Sequence, residues 1–398
     1  MKKMLLWIGA LIVGVVLGWL GIAWLDGLMN FVAMVYTRLF QLLAVPTIVL
    51  AVVSTFATFG SQGSGKIFGR TVTYTLLTTL SAAIVGALLY VVIAPGNLPA
   101  EAISQGTEVV EMAPQQSVYS HILGVIPNNI IRPFLEGNVL SLLLIAFAVG
   151  IGLSKLPDTE NKATVIKGIL GLQELLFLLI RWLIWTLPLG IVAFSAQLAA
   201  QVSGGVIADS LGKYVLVILG GNALQFFIIL PLFLLARGLN PIRVLGKMMP
   251  AVLMALFTKS SAATLPVTME TAEKRLGVKQ RIARFVLPIC TTVNMNGCAA
   301  FILVTSLFVM QNGGMDITPV TIALWTVIAV ISAIGNAGVP MGCYFLTLSL
   351  VSGIGAPVGI MGIILPIYTV IDMVETAENV WSDSCVCAMT DKDLKSEI

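Results

Sequence analysis

The sequence predicts an all-α polytopic membrane protein with eight transmembrane helices and two re-entrant helical hairpins. Three observations carry that reading: a composition too apolar for water, clusters of basic residues in alternate loops, and two apolar segments broken at their centres. The 398 residues are 58% hydrophobic and 10% charged, with mean hydropathy +1.00. A soluble domain carries about 25% charged residues. The net charge is only +3, and the basic residues are scattered without aromatic interleaving, so no nucleic-acid partner is expected.

Taken in order, the apolar stretches run over 5–25, 29–58, 70–94, 118–154, 168–198 and 212–236. The first is longer than the apolar core of a secretory signal and lacks a clear cleavage pattern, so it reads as a retained span. Further on, 284–310 and 360–388 are also long enough to span, at about 20 residues each. Between them, 249–276 and 318–357 are apolar but interrupted. Lys2, Lys3, Lys66, Arg70, Lys155, Lys162, Lys167, Arg237, Arg243 and Lys247 fall in alternate loops, a series continued by Lys274 to Arg284 and by Lys392 and Lys395. By the positive-inside rule these loops, and both termini, are cytoplasmic. The opposing loop at 96–117 holds three glutamates and neither Lys nor Arg. This alternation makes 249–276 enter and leave on the cytoplasmic side, and 318–357 re-enter from outside.

The interruptions have a physical basis. One centre is Lys259-Ser260-Ser261-Ala262-Ala263-Thr264-Leu265-Pro266; the other is Gly335-Asn336-Ala337-Gly338-Val339-Pro340-Met341-Gly342. Small residues, Gly and Pro let the backbone leave the helix, which at membrane depth requires burial in protein or a polar ligand. The span after the first hairpin is itself broken at Thr291, Thr292, Asn294, Asn296 and Gly297. A hairpin and broken helix, followed by an oppositely oriented hairpin and polar helix, form an inverted-repeat pattern, and such repeats bind substrate and ions at their interface.

The last span carries the densest chemistry. Asp372, Glu375, Thr376, Asn379 and Asp383 lie within about a 100° sector of a helix. Carboxylates at membrane depth face a cavity, a partner charge or an ion path. Glu378 sits off that stripe and is expected at a cytoplasmic or interdomain polar surface. The five cysteines read as buried apolar thiols, without disulfide or transition-metal chemistry, and the single histidine is His121. No nucleophile elbow, phosphate-binding loop or metal-ligand cluster is present, so neither an enzyme nor an ATP-driven pump is expected. An ion channel lined by broken helices is the rival reading from a different class.

These motifs resemble one family, the dicarboxylate/amino acid:cation symporters, which include the glutamate transporters. SSAATLP is similar to its serine-rich first hairpin, NMNG to its Asn-Met-Asp-Gly motif and GNAGVP to its second hairpin. The D-x-x-x-T-x-x-N-x-x-x-D run from Asp372 to Asp383 resembles its last helix, and YTLLTT at 74–79 extends the match. The resemblance implies an elevator-type secondary transporter, homotrimeric in the lipid of the cytoplasmic (inner) membrane. Residues 1–248 would be mainly scaffold and trimerisation spans, with some transport helices around 70–95, and 249–398 the core transport domain. No cofactor is implied beyond a coupling ion, sodium or a proton.

Carried over residue by residue, the resemblance gives Asp372 the substrate ammonium and Thr376 and Asn379 its α-carboxylate region, with Ser260, Ser261 and Val339 closing around it. Asp383, Asn379, Asn294 and backbone near Cys290 would hold one cation, with Thr292 at another. A further cation site would use Thr78, Thr79 and Asn296. Two departures sharpen the expectation. Relatives selective for acidic substrates carry Arg where this chain has Glu375, and an ionised Glu375 repels what Arg would clamp. In its Glu-Thr-Ala sequence the last helix is closest to the bacterial sodium/serine-threonine symporters. A small neutral amino acid such as serine, threonine or alanine is therefore expected, with glutamate, aspartate or a C4-dicarboxylate as the alternative. Asn296 also replaces the motif's Asp, which implies a weakened further cation site and coupling to fewer cations.

Overall fold

The computed structural model describes residues 2–59, 65–99, 126–136, 139–201, 206–334, 336, 338 and 341–395. Among these, every regular element is helical. The first elements are α1 (Lys2–Trp19), α2 (Ala23–Phe59) and α3 (Gly65–Ile93), followed by a short α4 (Arg132–Glu136), α5 (Val139–Lys155) and α6 (Glu160–Gln201). Of the apolar stretch expected over 118–154, the described part forms a long helix from Val139, while 118–125, 137 and 138 lie outside the described residues. Lys162, expected simply in a basic loop, is only 8% exposed. Its ammonium donates to the carbonyls of Ser154 at 3.3 Å and Leu156 at 2.8 Å, and to Asp158 at 2.8 Å. The last carbonyls of a helix have no partner within it, and a cation there also meets the negative end of the dipole.

Next, α7 (Val206–Leu224) passes through a π-helical turn, Gln225–Ile229, into α8 (Leu230–Ala236). Such turns displace a side chain from helical register; here the Gln225 amide donates to the Thr78 carbonyl of α3 at 3.0 Å. The first hairpin consists of α9 (Pro241–Thr258) and α10 (Ser261–Thr271), which pack against each other. Asn240 caps α9 by accepting from the Arg243 N–H at 3.0 Å. Lys259 ends that helix in the left-handed region, at φ 54°, and Ser260 begins α10 as an extended N-cap accepting from the Ala263 N–H at 3.1 Å. Serine and a left-handed residue thus produce the break that the sequence located.

The broken span is α11 (Gln280–Val293) and α12 (Asn296–Asn312), separated at Asn294 and Met295. The second hairpin follows as α13 (Pro319–Ile334) and α14 (Gly342–Gly353), and the chain closes with a continuous α15 (Gly359–Lys395). The arms of the second hairpin pack chiefly on α12 rather than on each other. Two packing groups result: α1, α2, α5 and α6 associate, while α3 packs with α7 and α12, and α9, α11 and α12 surround α15. Contacts of α2 with α14 and of α6 with α15 join the groups. Helix α12 is predominantly apolar and buried along all but Gln311, as expected for the centre of a large bundle.

The two hairpin tips meet. Ser260 Oγ donates to the Gly338 carbonyl at 2.9 Å, and the Ala262 N–H donates to the same oxygen at 3.3 Å. Gly338 has φ +62°, and a Cβ there would lie 2.7 Å from the Thr291 carbonyl oxygen. Both the backbone conformation and the space exclude a side chain. Gly338→Ala is expected to destabilise the protein by about 2 kcal/mol or more, from left-handed strain and overpacking together. Thermal unfolding of the purified protein measures this. Gly9→Ala, where a Cβ meets nothing within 4 Å, is the control and should show no loss.

Candidate substrate and cation site

The polar stripe of α15 is buried: Asp372 is 3% exposed, Glu375 1%, Thr376 6%, Asn379 3% and Asp383 2%. A solvated helix end is therefore excluded for Asp383, beyond which the helix runs on to Lys395. A buried carboxylate requires hydrogen-bond donors or a cation. What surrounds each group shows what the site can accept.

Near the hairpin tips, Asp372 Oδ2 accepts from the Met341 N–H at 3.3 Å, and Oδ1 from the Tyr368 hydroxyl at 3.4 Å. The same hydroxyl lies 3.2 Å from Glu375 Oε2. One phenolic proton thus serves two carboxylates, and the other oxygen of Glu375 has no hydrogen-bond partner among the described residues. Lys259 donates to the Thr369 carbonyl at 2.5 Å, one turn before Asp372, and its charge acts on that carboxylate. Each oxygen of the Asp372 carboxylate thus accepts one long hydrogen bond. Tyr368 escaped the sequence reading, although its spacing of four and seven residues from Asp372 and Glu375 places it on their face.

A second cluster lies where α11 breaks. Asn294 Nδ2 donates to Asp383 Oδ1 and to Ser382 Oγ, each at 2.9 Å, and its Oδ1 accepts from Thr78 Oγ1 at 3.0 Å. Asn296 Nδ2 donates to Ser382 Oγ at 2.8 Å, and its Oδ1 accepts from Thr79 Oγ1 at 3.0 Å. The expected residues Thr78, Thr79, Asn294, Asn296 and Asp383 therefore form one network, centred on a serine that sequence reasoning passed over. Carboxylate, amide and hydroxyl oxygens are the donor set for a hard cation such as sodium. The Cys290 carbonyl accepts from the Asn294 N–H at 2.8 Å, so it borders the cluster. Thr292 is different: its hydroxyl donates to Ile289 of its own helix at 3.1 Å, and no hydrogen bond among the described residues joins it to this network.

Between the clusters, Asn379 Oδ1 accepts from the Gly297 N–H at 3.0 Å. It thereby caps the restart of the broken helix, a role that an N-cap residue ordinarily supplies locally. A Cβ on Gly297 would lie 2.8 Å from Glu375 Cα, so α12 and α15 touch backbone to backbone here. Thr376 donates to the Asp372 carbonyl within its helix at 2.7 Å. Ser261, the first residue of α10, is 3% exposed. Val339 lies outside the described residues.

Two expectations are corrected. Glu378 does not face a polar surface: it is 1% exposed and neither carboxylate oxygen has a hydrogen-bond partner among the described residues. Angular position cannot reveal this, because α15 is enclosed on its other faces as well. Nor are all the cysteines independent thiols. Cys298 and Cys343, 45 residues apart, form a disulfide with Cα atoms 5.5 Å apart. Their pairing depends on α12 lying against α14, a tertiary contact that leaves no trace in sequence spacing.

Comparison with known proteins fits this architecture. The family model for sodium:dicarboxylate symporters matches residues 4–393. The chain is 30% identical over 383 residues to neutral amino acid transporter B(0) of Oryctolagus cuniculus, covering 87% of this chain and 70% of that protein. It is 29% identical over 388 residues to neutral amino acid transporter A of Homo sapiens, covering 87% and 72%. To excitatory amino acid transporter 3 of Mus musculus it is 27% identical over 412 residues, covering 91% and 78%. These are transporters, not enzymes, and the family match runs almost from end to end. The chain belongs to the sodium:dicarboxylate symporter family.

Proposed function

We propose that the protein is a secondary active symporter that imports a small neutral amino acid such as serine, threonine or alanine across the cytoplasmic membrane. Sodium is the coupling ion. The observation that carries the substrate class is Glu375: a buried carboxylate with one unpartnered oxygen, beside Asp372 and sharing the Tyr368 hydroxyl with it. A second carboxylate from an acidic substrate would enter against two existing ones, and the desolvated repulsion would be severe. The relatives named as neutral amino acid transporters agree with this reading. The relative named as an excitatory amino acid transporter supplies the acidic alternative against which it is tested.

In this proposal Asp372 receives the substrate ammonium. Thr376 and Asn379, now bonded within the protein, turn to its α-carboxylate, and the tips at Ser260, Ser261 and Val339 close over it. Asp383, Asn294, Asn379 and the Cys290 carbonyl hold a sodium ion, and Thr292 contributes to another. The Thr78–Thr79–Asn296 set has no carboxylate of its own, and Asn296 is already engaged by Thr79 and Ser382, which favours coupling to few cations. The group formed by α1, α2, α5 and α6 acts as the scaffold of a trimer embedded in lipid, with both termini cytoplasmic. The remaining helices travel with the cargo, and the second hairpin is the outer gate.

Sodium-driven uptake into proteoliposomes tests the reading. Serine should compete with labelled serine and aspartate should not; saturable uptake of aspartate that serine cannot displace would overturn it. Uptake should rise with sodium with a Hill slope no greater than about two, the number of cation sites left intact in this assignment.

Glu375→Arg should weaken serine transport by about tenfold or more and confer competition by aspartate, since a bidentate guanidinium–carboxylate pair replaces a repulsion. Asp383→Asn should abolish the sodium-dependent increase in thermal stability, because binding to the native state is what produces that increase. Ser382→Ala should leave two buried amide donors short of an acceptor, at about 1–3 kcal/mol each, and weaken sodium binding in the same assay.

A further inference from the structure

Beside the substrate residues lie two cysteines that the transport reading does not use, next to Glu375, which it does. Cys298 at the start of α12, Cys343 at the start of α14 and Glu375 on α15 each place one ligand atom within 4.8 Å of the others, and all three are buried. The Asn336 amide donates to both sulfurs, at 3.0 Å to Cys298 Sγ and 3.1 Å to Cys343 Sγ. Gly342 keeps that amide in place, since a Cβ there would collide with Asn336 Oδ1. Independently of the sulfurs, one oxygen of Glu375 is buried without a hydrogen-bond partner among the described residues.

We propose that the dithiol form of Cys298 and Cys343, with Glu375, is a binding site for a thiophilic divalent cation such as Zn2+ or Cd2+. Two thiolates neutralise the dication, which matters where water is excluded. The carboxylate supplies a third ligand, and tetrahedral zinc is satisfied by such mixed sulfur and oxygen sets. N–H donation from Asn336 orients the sulfurs and steadies negative charge on them, as outer hydrogen bonds do at metal sites. In the structure the sulfurs are joined, and that state excludes the ion. A thiol or phosphine reductant delivers two electrons and, with two protons, yields the dithiol; metal ligation then releases those two protons. The bound ion staples one arm of the second hairpin to α12 and α15, immediately beside Met341 and Asp372. This consequence for transport rests on the function proposed above; the binding site does not.

The test titrates cadmium into the full-length purified protein after phosphine reduction and removal of the reductant. The expected result is an ultraviolet thiolate-to-cadmium absorption saturating at one ion per chain. Oxidation of the wild type with diamide, which takes both thiol hydrogens as it becomes the hydrazine, should eliminate that absorption without any mutation. Cys298→Ala or Cys343→Ala should eliminate it too, and Glu375→Gln should weaken binding by about tenfold or more. No absorption in the reduced wild type, or absorption that survives either cysteine variant, overturns the proposal, the latter because Cys290, Cys385 or Cys387 would then be the ligands. In proteoliposomes cadmium should stop uptake reversibly on chelation, and the Cys343→Ala protein should be insensitive. Cadmium binding with unaltered uptake would refute the stapling. Absence of amino acid uptake before any metal is added would instead count against the proposed function, leaving the absorption result intact.

Discussion

The interaction on which the site depends is between the broken backbone of α11–α12 and the polar face of α15. An apolar bundle tolerates a carboxylate only where donors converge on it. A continuous helix has no backbone donors to spare, since its own N–H groups are spent on its own carbonyls. Where the helix stops at Asn294 and restarts at Asn296, two asparagine side chains reach Ser382 and Asp383. The debt runs the other way as well: the N–H at Gly297, in the first turn of the restarted helix, donates to Asn379 of α15. Each helix thus supplies what the other lacks.

This reciprocity explains why the fold was so legible in sequence. Residues that permit backbone breaks, such as Ser260, Lys259 and the glycines around 335–342, stand out against apolar surroundings, and the structure breaks its helices at those points. The stripe from Asp372 to Asp383 was visible because a helix has a fixed angular period. Thr78 and Thr79, 216 and 217 residues distant from their asparagines, were reached only through the resemblance.

What escaped the sequence has a common cause. Ser382 is a small hydroxyl among ordinary helical residues, and only the convergence of two amides distinguishes it. Gln225 acts through a π turn, which no residue pattern here announced. Glu378 reads by angle as meeting a polar surface, but a helix packed on nearly all faces has no such surface at that depth. Cys298 and Cys343 belong to segments whose proximity depends on the second hairpin straddling α12. Periodicity locates residues on an element; it is silent about which elements touch.

The carbonyl of Gly338 gives the two hairpins a shared point of registration. A hydroxyl and an amide from the first tip end on that one oxygen of the second. Neither donor can keep its geometry once the oxygen moves, so the contact is interlocked rather than graded, and separation releases both bonds together. The two hairpin tips are therefore registered against one another through a single atom, carried by the one residue type that can stand at that place.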